Sequence, residues 1–292
     1  MNRKNIFFGL LILGTAFWGI SFPVTKMAVN GASQSIFLFY RFALATLVLA
    51  IVFFPRLKKM NRNDLIGGVL LSLPLTFGIW FQTLGLKYSS ASQCAFVAGM
   101  SVVAVPVLKM LFYKTAISLK IWCAALIALS GLFVISIKGG FYIGAGDLYT
   151  IVGAIGFSYY LIRVERYSLT NDIIPTIVPM FFSATVIMLC IAITEPGANW
   201  LPAEPQFWPG ILYCAFLSTA FMYTVSNISQ RYITAEKVAI IYLFEPVFAA
   251  IAAFFLLNEL LSWRLLVGGL FIFAGTFISE INFVARKAEP LN

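Results

Sequence analysis

The chain has 292 residues, of which 61% are hydrophobic, 16% aromatic and only 11% charged, and its mean hydropathy is +0.94. A soluble domain is about 45–50% apolar and about 25% charged, so this composition argues against a soluble enzyme, a disordered tail and a nucleic-acid-binding domain, and points to an integral membrane protein. The net charge of +9 is the balance of 20 Lys and Arg, which form no stripe, against 11 Asp and Glu, and there is no histidine, which removes imidazole acid–base chemistry and His-ligated metals.

From the N-terminus, Met1–Lys4 and the apolar run 6–20 resemble the start of a signal peptide. The run continues past Val24 with no small-residue cleavage pattern, so a retained first span is expected. A bilayer-crossing helix needs about 20 mainly apolar residues. Between polar breaks the sequence offers ten such segments: 5–27, 34–54, 65–86, 91–113, 117–137, 147–164, 173–194, 208–229, 235–257 and 262–283. The expected fold is therefore all-α and integral to the membrane, with ten transmembrane helices. The longest connections, 54–64 and 194–207, are too short for a soluble domain, so the work of the protein must be done within the bundle. Pro23, Pro74, Pro106, Pro179 and Pro246 fall inside spans, where neighbouring helices can satisfy the freed carbonyls and kinks are tolerated. Cys94, Cys123, Cys190 and Cys214 lie far apart in apolar runs. They form no C-x-x-C, so neither a zinc site nor a redox dithiol is encoded.

An even number of spans puts both ends on one side. On that arrangement 14 of the 20 basic residues flank the same face, among them Arg3, Lys4, Arg56, Lys58, Lys59, Arg62, Arg163, Arg166, Arg286 and Lys287. Lys26, Lys87, Lys138 and Arg264 flank the other, and Arg41 and Lys109 fall within spans. Positive charge accumulates on the cytoplasmic side, so both termini are expected there, in a bacterial inner membrane.

The chain also repeats itself. A shift of 144 places Tyr88-Ser-Ser-Ala91 on Tyr232-Ile-Thr-Ala235, Ser118-Leu-Lys120 on Ser262-Trp-Arg264, and Gly131-Leu-Phe133 on Gly275-Thr-Phe277. Pro106 and Pro246 are related by 140, one helical turn off. A unit of five spans, 1–146 and then 147–292, inverts its topology on duplication, an arrangement common in secondary transporters.

Gly14-Thr-Ala-Phe-Trp-Gly-Ile-Ser-Phe22 resembles the first-helix signature of EamA-type members of the drug/metabolite transporter superfamily. Arg41-Phe-Ala, Leu84–Ala91, Phe244-Glu-Pro-Val-Phe-Ala249, Asn258–Ser262 and Gly268–Gly275 are similar to the rest of that pattern. The likeness covers essentially the whole chain. It implies ten spans in inverted five-helix repeats and a central cavity between the first, third, fourth, sixth, eighth and ninth spans. It also implies movement of small metabolites, often amino acids or relatives. One departure is Lys114-Thr115 in the first half, where the second has Asn258-Glu259.

Charges inside a span are costly and need a reason. Glu245 lies about ten residues into its span, beside Pro246. It can serve a substrate amine, carry a proton, or pair with a base on another helix. Lys109, one turn after Pro106, is a candidate partner or carboxylate-binding group, or a side chain that snorkels to the interface. Arg41 and Lys26 are read as structural or gating residues, with Pro106 and Pro246. Gln82, Gln93, Asn227, Trp18 and Tyr159 are polar or amphipathic groups within or beside spans. They can orient a ligand or bond between helices.

Intramembrane hydrolysis would need paired acids or a Ser–His arrangement, and no P-loop, EF-hand or dinucleotide motif is present. A channel would need a symmetric ring of identical groups. The expectation is not an enzyme but a secondary transporter of small polar or amphipathic metabolites, working by alternating access, with proton coupling open. The alternative is a membrane-embedded lipid-handling protein or enzyme. No cofactor, metal or nucleic-acid partner is expected. Partners are a small-molecule substrate and membrane lipids, and a homodimer stays open.

Overall fold

The computed structural model describes residues 3–136, 144–258, 260 and 263–280. Lys138, Glu259, Ser262, Arg286 and Lys287, which entered the reading above, lie outside the described residues. Among the described residues there is no strand. Eight helices are long and apolar enough to cross a membrane: α1 (Arg3–Ala28), α2 (Gln34–Val52), α3 (Arg62–Tyr88), α4 (Ala91–Tyr113), α6 (Ala145–Thr170), α7 (Ile174–Thr194), α8 (Phe207–Ser229) and α9 (Ala235–Leu257). The apolar helices α5 (Leu119–Ser136) and α10 (Trp263–Glu280) are shorter.

Local chemistry sets the helix ends. At the start of α3 the Asn61 side chain accepts from the Asp64 amide at 2.9 Å and Asp64 accepts from the Asn61 amide at 3.0 Å, which satisfies two of the donors a first turn leaves free. Asp147 does the same for α6, accepting from the Gly144 amide at 2.9 Å. The α1–α2 turn uses Gly31 at φ +86°, a conformation that glycine adopts without a Cβ clash. Both α4 and α9 end on a left-handed residue, Lys114 at φ 51° and Asn258 at φ 54°.

Successive helices alternate in direction. Arg56 pairs with Asp172 at 3.5 Å and Phe7 stacks on Tyr232, which gathers the starts of α1, α3, α7 and α9 with the ends of α2, α4, α6 and α8 on one face. We call it the N-terminal face. Residues 26–33, 86–87, 195–202 and Leu257 meet on the opposite, far face.

Small residues bring helices into backbone contact. A Cβ on Gly78 of α3 would lie 2.9 Å from the Phe157 amide nitrogen, and one on Gly153 of α6 would lie 2.7 Å from the Gly78 carbonyl oxygen. The α5–α10 contact is reciprocal. Gly131 abuts Gly268, Phe271 and Ile272, and Gly275 abuts Ala124 and Ala128. Close approach through glycine is how helices associate where hydrophobic burial gives little drive. Outward-facing Leu47, Leu70, Leu73, Phe182, Phe255, Leu266 and Phe273 are exposed, as suits a surface against lipid.

Three helices are interrupted near mid-length. α4 breaks at Gly99–Met100, α9 passes through a 3₁₀ turn at Tyr242–Phe244 directly before Glu245, and α8 contains a π-helical stretch, Cys214–Phe221. Such interruptions concentrate at functional sites; here the α4 break and the 3₁₀ turn of α9 border one cavity, and the π-helical stretch of α8 bonds to Trp18 and Arg41 of its lining.

Candidate functional site

The cavity lies between α1, α2, α3, α4, α6, α8 and α9, and its lining includes Trp18, Arg41, Gln82, Ser101, Tyr223 and Glu245. Its water-accessible volume is about 40 Å³, room for about three waters. Leu86 is shared with a vestibule of about 650 Å³ on the far face. The cavity thus reaches toward the far face.

Arg41 and Trp18 are held from outside the cavity. The π-helical stretch turns the Ser218 and Thr219 hydroxyls toward α2, where Arg41 Nε donates to Thr219 Oγ1 at 2.7 Å and Arg41 Nη2 donates to Ser218 Oγ at 3.1 Å. The same stretch presents the Ser218 carbonyl to Trp18 Nε1 at 2.6 Å. Arg41 is 6% exposed and Trp18 5%, so both are fixed by neighbours rather than by solvent. Glu245 has no ion-pair or hydrogen-bond partner among the described residues. Its carboxylate lines the cavity with Tyr242 beside it and Tyr223 within electrostatic reach of both Glu245 and Arg41.

Toward the N-terminal face the cavity is closed by rings. Trp18 meets Tyr242 at 4.8 Å, Tyr223 at 5.0 Å and Phe157 at 5.7 Å between centroids, all edge-on. Beneath them Tyr160 Oη donates to Asn227 Oδ1 at 2.6 Å, and Ser226 bonds to Tyr242. One layer further, Lys109 Nζ of α4 pairs with Glu165 of α6 at 2.7 Å and with Glu236 of α9 at 2.6 Å. These three are 8%, 6% and 5% exposed. The cluster ties three helices together around one cation and two carboxylates. On the far face Lys26 Nζ donates to the carbonyls of Leu86, at 3.0 Å, and Ser89, at 2.5 Å, which links α1 to the end of α3.

Of the residues singled out from sequence, Glu245, Trp18, Gln82 and Arg41 line the cavity. Four do not. Gln93 Nε2 bonds to Asp147 at 2.8 Å in the first turn of α4, with Ser89 Oγ donating to the same carboxylate at 3.0 Å. Asn227 lies below the aromatic layer as Tyr160's acceptor. Tyr159 faces Phe112 at 6.0 Å, because two residues beyond Phe157 is about 200° around a helix. Lys109 is engaged by Glu165 and Glu236 rather than by Glu245. Pro106 and Pro246 are buried within their helices. Glu165 and Glu236 were not singled out from sequence. Glu165 lies just past the apolar run that ends at 164, although α6 continues to Thr170. The signal that could have found it is helical phase, since Glu165 shares a face with buried Ser158, Leu161, Ile162 and Ser168.

A bundle of membrane-crossing helices around a small polar cavity, reaching toward one face and sealed by rings and ions toward the other, defines a membrane transport protein. The model of the EamA-like transporter family matches twice, over residues 6–137 and 144–280, and the chain belongs to that family. It is similar to an uncharacterized transporter of Archaeoglobus fulgidus (26% identity, covering 96% of this chain and 98% of the relative). It is also similar to the uncharacterized transporter YcxC of Bacillus subtilis (28% identity, 93% and 92%). A crystal structure at 14% identity superposes with a TM-score of 0.73 over 96% of this chain and 97% of that one, a likeness of fold.

Proposed function

We propose that this EamA-family transporter is a secondary carrier of small polar or amphipathic metabolites, amino acids or their relatives, working by alternating access between inverted five-helix repeats, with the N-terminal face cytoplasmic. The observation that carries this reading is Glu245: a carboxylate at mid-depth, unpartnered among the described residues, in a cavity whose other wall holds Arg41. A cavity of that kind suits a ligand bearing an ammonium group, with a proton as the other occupant the carboxylate can take. Two guanidinium nitrogens of Arg41 are engaged by Ser218 and Thr219, which leaves Nη1 for a ligand carboxylate. Trp18, Tyr223 and Tyr242 supply faces and edges for an apolar or cationic portion.

The conformation fits one half of such a cycle, with the vestibule open on the far face and the Lys109–Glu165–Glu236 cluster closed on the other. Alternation would require the cluster to part and the far-face bonds of Lys26 to tighten around α3. The reciprocal α5–α10 contacts and the left-handed ends of α4 and α9 are the structural support for a duplicated, inverted architecture. The test is counterflow of labelled amino acids and related amines in proteoliposomes, comparing wild type with Glu245→Gln. Exchange of at least one zwitterionic or cationic substrate, lost in the variant, is the expected result. A variant that moves every substrate at the wild-type rate and at every pH tested would overturn the role of Glu245.

A further inference from the structure

A second cleft, unconnected with the central cavity, opens on the N-terminal face between α3 and α6. It has a volume of about 390 Å³ and is lined by Ile66, Leu70, Tyr113, Arg163, Arg166 and Tyr167, among others. Arg163 and Arg166 are three apart on α6 and so share a helix face. The Arg166 guanidinium lies over the Tyr113 ring at 4.1 Å, which holds it beside the cleft. Neither arginine forms an ion pair among the described residues.

The nearby acids are committed elsewhere. Asp172 pairs with Arg56, Asp64 caps α3, and Glu165 points to Lys109 on the opposite side of α6. The lining of the cleft itself thus holds two cations and no acid, with Asp64 and Asp172 acting on Tyr167 from beyond it. It also holds a polar atom in want of a partner, because Tyr167 Oη is shielded from solvent and makes no hydrogen bond. An unsatisfied buried hydroxyl is costly, and an incoming acceptor would relieve it.

The remaining wall is apolar and open to the outside of the bundle. Ile66 is 43% and Leu70 46% exposed, on the side of α3 that also presents exposed Leu73 and Phe77 to lipid. A soluble anion has no use for that wall, whereas an acyl chain does. Two arginines and a tyrosine hydroxyl above a lipid-facing apolar strip match a headgroup phosphodiester with its chain attached. Basic pockets between transmembrane helices are suited to anionic headgroups. We propose that this cleft is a binding site for an anionic phospholipid of the leaflet on the N-terminal side, with Arg163 and Arg166 holding the phosphodiester, Tyr167 donating to it, and Ile66 and Leu70 seating the chain. The proposal does not depend on which solute the transporter carries.

The test uses the full-length protein in a neutral detergent, titrated in parallel with dioleoyl-phosphatidylglycerol, dioleoyl-phosphatidylcholine and inorganic phosphate. Melting temperature is followed, and bound lipid is counted by native mass spectrometry. Phosphatidylglycerol is expected to raise the melting temperature with retention of one lipid per chain, while phosphatidylcholine and inorganic phosphate do neither. Arg163→Gln/Arg166→Gln should need about tenfold or more phosphatidylglycerol for the same response. Lys58→Gln/Lys59→Gln, basic residues of the same face outside the cleft, should respond as wild type. Each variant is scored against its own lipid-free baseline, and Arg166→Gln alone, at an exposed residue, replaces the double variant if that fails to fold. An equal response to both lipids, a response to inorganic phosphate, or an equal loss in the lysine variant would overturn the proposal.

Discussion

Removing Lys109 should be far more damaging than removing either acid it holds. The cluster contains one cation against two carboxylates, with contacts of 2.7 and 2.6 Å and all three residues under a tenth exposed, so its formal charge is −1. Lys109→Met takes the buried charge to −2 and leaves two acids facing each other. Glu236→Gln takes it to zero and keeps an acceptor for the lysine. Breaking a buried pair by deleting one partner costs about 3–5 kcal/mol, chiefly because an uncompensated charge remains. At about 2–4 °C per kcal/mol, Lys109→Met should melt about 6–20 °C below wild type. Glu236→Gln should stay within about 3 °C. Adding Glu236→Gln to Lys109→Met should recover part of the loss, since the two residues share a contact and cannot act additively. The assay is thermal unfolding of purified protein in detergent, monitored by tryptophan fluorescence. Lys109→Met melting with wild type, or Glu236→Gln falling as far as Lys109→Met, would refute the charge argument.

Glu245→Gln should leave the melting temperature unchanged or raise it, because it removes an unpartnered carboxylate from the bundle interior, even as it abolishes exchange in proteoliposomes; a large destabilisation would mean that Glu245 holds the fold. Gly153→Ala should cost about 1–3 kcal/mol by overpacking against the Gly78 carbonyl, read as a drop in melting temperature. Gly9→Ala, where a Cβ would meet nothing within 4 Å, should be neutral or slightly stabilising in the same assay. Tyr242→Phe removes the bond to Ser226 and should cost about 1 kcal/mol, with both hydroxyls replaced in Tyr242→Phe/Ser226→Ala recovering some of it.

Hydropathy runs are enough to locate the eight helices that are long and apolar enough to cross a membrane, because about 20 apolar residues are a length requirement that the chain must meet in one dimension; the fifth and tenth of the ten runs correspond to the shorter helices α5 and α10. They locate helix ends poorly wherever a charge is buried by pairing. Glu165 stops an apolar count at 164, yet Lys109 on another helix neutralises it and α6 continues to Thr170. The same limit divides the site residues. Glu245, Trp18, Gln82 and Arg41 stand out as polar or amphipathic groups at depth, and all four line the cavity. Tyr159 stands out equally, but its neighbour Tyr160 is the buried ring. Which of two adjacent tyrosines points inward depends on the phase of α6 against its partners. The π-helical stretch of α8 is further out of reach. Residues 214–221 have no composition that marks them, and only the packed bundle reveals that Ser218 and Thr219 face Arg41.

The two left-handed residues that end α4 and α9 stand 144 apart, Lys114 and Asn258, at matching places in the two copies of the family domain. The later copy meets that backbone shape with asparagine, which visits it readily, whereas the earlier copy holds an exposed lysine in it at a penalty of about 1 kcal/mol. The gene has thus kept two answers to one architectural question, and the better one can be copied across. Lys114→Asn borrows from the protein's own second half in the way that consensus engineering borrows from relatives, and it should raise the melting temperature by a few degrees.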